Sequence, residues 1–118
     1  EALEPVASSA EVARVNQVVR ACHVAEDVYN YALDIIQATR ESESLRLGAS
    51  PRGTLGLIRC AQALATLRGR DFVSPDEIKE LAPSVLAHRV ILRPEARMSG
   101  QTANDLILRI LDRVRVPA

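Results

Sequence analysis

Five apolar stripes at helical spacing run through this chain, and four of them begin just behind a side chain able to cap a helix. Ser8-Ser9-Ala10-Glu11 reads as a capping box. It predicts a helix from about Ser9 to Ala21 with Val12, Val15, Val19 and Cys22 on its inner side. A second helix starts near Ala25 or Glu26, carries Val28, Ala32, Ile35, Ile36 and Thr39, and ends around Arg40. A third runs from Ser50 to about Leu67 with Leu57, Ile58, Ala61, Leu64 and Ala65 on one face and Gly69 as its stop. Its alanines and Gly56 predict close neighbours and a central position. Ser74-Pro75-Asp76-Glu77 opens a fourth helix with Ile78, Leu81, Val85 and Leu86. Pro83 is expected to split or kink it, because proline cannot donate to the preceding turn. Thr102 caps a final helix bearing Leu106, Ile107, Ile110, Leu111 and Val114.

The segments between the stripes are short. Glu41 to Ala49 reads as a polar linker, Asp71-Phe72-Val73 and Arg89 to Pro94 as extended pieces, and 95–101 as a polar loop. Aromatic residues make up only 3% of the 118, so Leu, Val, Ile and Ala must build the core, which favours helix over sheet. The expectation is an all-α, compact helical bundle of about five helices over 9–118, with room for a minimal two-stranded pairing of His23-Val24 with Phe72-Val73. Residues 1–8, containing Pro5, read as a loose lead-in, and a first residue Glu1 rather than Met predicts a fragment or processed product.

The formal net charge is zero, so the total does not indicate a nucleic-acid-type surface. Residues 1–50 are net acidic and the remainder net basic. No secretory signal or membrane span is visible. Cys22 and Cys60 lack metal-ligand spacing and read as buried free thiols. His23 and His88 stand apart from any partner ligand and suit helix ends, so no metal site is expected. No phosphate-cradling GxxxxGK[ST] loop is present, and no serine has a visible base partner. Tyr29 and Tyr31 are too few for base stacking. The chain by itself is not expected to be an enzyme.

One segment does point to a ligand. In Leu47-Gly48-Ala49-Ser50-Pro51-Arg52-Gly53, Ser50 suits the N-cap, Pro51 the first helical position, and Arg52 the first turn beside unpaired N–H groups. A helix start with an added guanidinium favours an anion, phosphate above all. Ser50, Pro51 and Gly53 shape that start and are, with Arg52, the candidate nucleotide contacts, although a solvated arginine at an ordinary helix start is the simpler reading of these seven residues taken alone.

From Ala38 to Pro94 the sequence resembles the C-terminal lid domain of MoxR-type AAA+ ATPases, in three pieces that match in order: ATR…LGASPRG, ALxxLRGRDFVSPDEI and LAPSVLAHRVILRPEA. The two helices before this stretch and the last helix fit as well, so nearly the whole chain is covered. The resemblance implies an N-terminal α/β domain with Walker motifs joined through 1–8, and a lid over 9–118. It implies an ATPase that assembles in rings in the cytoplasm and acts as a chaperone-like or metal-insertion factor, with von Willebrand factor A-type partners. ATP would be the cofactor, its Mg2+ held by the ATPase core. Arg52 matches the sensor 2 arginine, which reaches the γ-phosphate in such lids. Arg40, Arg46 and Arg59 fit a solvated face better than a nucleotide contact.

Three other readings stand beside this one. One is the similar lid of a magnesium-chelatase-like AAA+ subunit, and another a stand-alone helical interaction module. The third is a small DNA-binding bundle using Ser74–Ala87, although Asp76, Glu77 and Glu80 against Lys79 suit phosphates poorly.

Overall fold

The computed structural model describes residues 3–118. Glu1 and Ala2, the first two residues of the expected lead-in, lie outside the described residues. Among the described residues the order is α1 (Ser9–Ala21), α2 (Glu26–Glu41), β1 (Leu45–Leu47), α3 (Arg52–Leu67), α4 (Pro75–Leu86), a 3-10 turn (Ala87–Arg89), β2 (Ile91–Leu92), α5 (Pro94–Met98) and α6 (Ala103–Arg113). The fold is a helical bundle with one two-stranded antiparallel sheet.

The start signals act as expected at three helices. Ser8 and Glu11 close a reciprocal capping box on α1, and Thr102 and Asp105 close one on α6. At α4 the Glu77 carboxylate accepts from both the backbone N–H and the hydroxyl of Ser74. α3 ends as Gly69 predicts: its φ is +78°, and the Arg70 N–H reaches back to the Ala65 carbonyl.

α3 is central. It packs against α1, α2 and α4, and Leu57, Ala61 and Ala65 are fully buried. Facing it are Ile35 and Ile36 of α2 and Ile78, Ala82 and Leu86 of α4, while Leu106, Ile107 and Leu111 of α6 complete the same core. α3 and α4 run antiparallel: the start of α3 at Gly53 meets Leu86 near the end of α4, and Arg68 after α3 meets Glu80 in α4.

Several expectations change. The strand pair is not His23-Val24 with Phe72-Val73; those segments share a single parallel bridge, His23 with Phe72. The true sheet pairs Leu45 with Leu92 and Leu47 with Ile91, so the Glu41–Ala49 linker holds a strand. Pro94, read as the end of an extended piece, is the first residue of α5, where its fixed φ and missing N–H cost nothing. Residues 95–101 are therefore partly helical rather than a polar loop. Pro83 does not split α4, which continues from Pro75 to Leu86. The valine stripe of α1 stays outside the core, with Val12 52% and Val15 56% exposed. α1 is fastened mainly at its end, where Gln62 of α3 donates to the Cys22 carbonyl and the His23 N–H donates to Asp71. Cys22 is buried, but Cys60 is exposed, not buried as expected.

Candidate functional site

The loop ahead of α3 is set by the last turn of α2. Thr39 is fully buried, donates its hydroxyl to the Ile36 carbonyl and accepts from the Ala49 N–H at 2.9 Å. The Arg40 guanidinium donates to the Ala49 carbonyl at 3.3 Å. Ala49 is thus held at both its amide and its carbonyl, with its methyl fully buried. Gly48 makes the crossing possible: a Cβ there would lie 2.6 Å from the Arg40 Cα, against backbone that cannot yield. Thr39 is buried on the apolar stripe and Arg40 exposed, as the sequence predicts, and both in addition grip the loop. Their signal was a small hydroxyl residue in the last turn of an amphipathic helix, next to an arginine, with a glycine ahead of the next helix.

Three residues later the chain enters α3. Pro51, not Ser50, stands at the N-cap, one place before the first helical position expected for it, and Ser50 is exposed and its side chain caps nothing. The Gly53 N–H donates to the Ser50 carbonyl at 2.8 Å and the Thr54 N–H to the Pro51 carbonyl at 3.1 Å. These tight turns consume amides that the sequence left open for an anion, because the backbone carbonyls lie closer than any side-chain cap. Gly53 is buried and faces inward, its Cβ position 3.2 Å from Ile36 Cδ1 and 3.3 Å from Leu86 Cδ2. It lets α3 approach α2 and α4, and it does not face solvent as a ligand contact would. Of the four proposed site residues, the structure leaves Arg52 as the exposed charged donor.

Arg52 pairs with no carboxylate among the described residues; the ion pairs described there all gather at the far end of α3. At that end the Glu77 carboxylate, 1% exposed, meets Arg70 at 2.7 Å and Arg68 at 3.5 Å, and Arg68 also meets Glu80 at 2.7 Å. Burial pushes the Glu77 carboxyl up, but the Ser74 hydrogen bonds and the Arg70 guanidinium outweigh it and hold the group below the usual carboxylate range. Burial raises the Cys22 thiol, with Thr66 opposing, and burial beside Asp76 raises Tyr31. No group of three or more His, Cys, Asp or Glu among the described residues could hold a metal ion, and no described helix is long and apolar enough to cross a membrane.

What remains at the Arg52 end of α3 is a free guanidinium at the positive end of a helix dipole, on a loop pinned to α2. Those donors fit an anion of phosphate type; they include no base or nucleophile.

Residues 37–110 match the AAA lid domain family. YeaC of Bacillus subtilis (strain 168), an uncharacterised protein, is 39% identical over 99% of this chain and 37% of its own length. Chaperone MoxR1 of Mycobacterium tuberculosis is 32% identical over 95% of this chain and 32% of its own length. The crystal structure of a protein provisionally described as an ATPase, from Cytophaga hutchinsonii, superposes with a TM-score of 0.87 at 30% identity, covering 92% of this chain and 36% of that one. The chain therefore spans about a third of the length of the relatives it matches. The chain belongs to the AAA lid domain family, as a lid of the MoxR AAA+ type.

Proposed function

We propose that this chain is the nucleotide-responsive lid of a longer MoxR-type AAA+ ATPase, and that Arg52 is its sensor 2 residue. The observation that carries the reading is the exposed, unpaired Arg52 guanidinium, held at the start of α3 by a loop gripped at Ala49. ATP, bound with Mg2+ chiefly by the ATPase core, supplies the phosphoryl group whose transfer releases the energy. Arg52 contributes a fixed positive charge where negative charge spreads over the terminal phosphate oxygens. Because the guanidinium meets the triphosphate and the diphosphate unequally, lid orientations shift between the two states. Ser50, Pro51 and Gly53 shape the helix start and touch no nucleotide.

Residues 1–8 form the linker from the ATPase core. The exposed valine stripe of α1, which begins at Ser9, supports docking of α1 onto that core. The whole protein is cytoplasmic, forms a ring with neighbouring AAA+ subunits, and drives chaperone-like remodelling or metal insertion, in some settings with a von Willebrand factor A-type protein.

The test is Arg52→Ala in the full-length protein. ATP turnover should fall by roughly 100-fold or more, with the melting temperature of the lid unchanged. Unchanged turnover together with unchanged nucleotide affinity would overturn the assignment.

A further inference from the structure

A second guanidinium lies against the first turns of α3, beside Gly56. Arg89 closes the 3-10 turn that follows α4 and is exposed. Since α3 and α4 run antiparallel with Leu86 opposite Gly53, Arg89 leaves the α3/α4 pair at the end where Arg52 stands. Its Nη2 lies 3.6 Å from the position a Cβ would take on Gly56, with Val85 Cγ1 at 3.9 Å from the same point. Cα–Cβ bonds of a helix tilt toward its N-terminus, so the space left by Gly56 opens toward Arg52. Residues four apart on a helix have Cβ atoms about 5–6 Å apart. Arg52 and Gly56, beside which the Arg89 guanidinium lies, therefore stand one turn apart on the same side of α3. Among the described residues, neither arginine has a carboxylate partner.

We propose that Arg52 and Arg89 form a two-pronged receptor for a nucleotide polyphosphate, with Arg89 meeting the same phosphate chain one helical turn from Arg52. Two like charges side by side with no internal counter-ion gain most from a ligand carrying several negative charges along its length. The positive end of the α3 dipole adds to the same field. Gly56 marks the place where the Arg89 guanidinium lies against α3, at ordinary contact distance from the position a Cβ would take.

The inference rests on the reading of Arg52 as phosphate-facing, and the experiment separates the two. In the full-length protein, ATP and ADP affinities are measured by competition with a fluorescent nucleotide for Arg52→Gln, Arg89→Gln, Arg89→Lys and the Arg52→Gln/Arg89→Gln pair. Melting temperature and oligomeric state are followed alongside. Arg89→Gln should weaken ATP by about tenfold and ADP less. Arg89→Lys should restore part of the loss, and the double variant should lose less than the product of the single losses. If Arg89→Gln does not fold, Arg89→Lys carries the test through a partial loss for ATP against ADP. Loss of ATP affinity on Arg52→Gln alone overturns the pair and leaves the sensor reading standing. Loss in neither variant overturns both, and loss on Arg89→Gln alone overturns the pair. A changed oligomeric state with ATP affinity intact in Arg89→Gln assigns that guanidinium to a neighbouring subunit's carboxylate and overturns the pair as well.

Discussion

The two ends of α3 both carry arginines beside a glycine, and they use them in opposite ways. After the helix, Arg68 and Arg70 discharge onto the buried Glu77 carboxylate and onto Glu80. Before it and beside it, Arg52 and Arg89 meet no acid among the described residues. The first set joins α3 to α4 and is consumed by the fold. The second set leaves its charge available, on a backbone that other groups hold still. Charge that the fold neutralises joins its helices; charge that it leaves bare stays available to a ligand.

The contrast can be broken most sharply at Glu77. Glu77→Ala should destabilise the domain by about 3 kcal/mol, at the low end for a buried pair because both arginines keep partial access to water. A lower urea midpoint with an unchanged slope would show it. Arg52→Ala should move the same midpoint by less than about 0.5 kcal/mol. An equal loss in the two variants would erase the distinction drawn here.

Thr39→Val should rank next. It removes the acceptor of the buried Ala49 N–H, at a cost of roughly 1–3 kcal/mol, and loosens the loop ahead of Arg52. ATP turnover of the full-length protein should therefore fall along with stability, whereas Glu77→Ala should lower stability with little change in turnover under folding conditions.

Acid gives a smaller and graded effect. The Glu77 carboxyl is held below its ordinary value of 4.5 in the folded state, so the unfolded chain takes up that proton at higher pH. The stability it contributes is complete above the ordinary carboxylate range and is lost as pH falls through the depressed folded value. Urea midpoints measured downward from about pH 5 should drop, and Glu77→Gln should flatten that limb. The smallest effect separates the two cysteines: a thiol reagent should modify exposed Cys60 in the native domain and reach Cys22 only on unfolding.

The long helices were legible because each has an apolar stripe, and three of them, α1, α4 and α6, carry a capping box at the start. Ser8–Glu11 and Thr102–Asp105 form the boxes their spacing predicts, and Gly69 stops α3 with a positive φ. Short elements were not legible. β1 has three residues and β2 two, too few for alternation to show, and their pairing joins segments over forty positions apart. Pro94 favours both an extended neighbour before it and a helix after it, and only the first was read. The α1 stripe had the right period but the wrong destination, since periodicity reports an apolar face and not what covers it.

The candidate site divides in the same way. The place of Arg52, exposed at the start of α3, was visible because its signal is local. The grip of Thr39 and Arg40 on Ala49 spans ten and nine positions, and the burial of Glu77 depends on how α4 folds back on α3. Such contacts leave no periodic mark in the chain.

The hold on Ala49 has a mechanical consequence. With its amide and carbonyl both tethered to the end of α2, the segment leading into α3 has no slack with which to swing Arg52 independently. A displacement of the start of α3 is therefore passed to the end of α2 as well, and the two helices are bound to shift together at that corner.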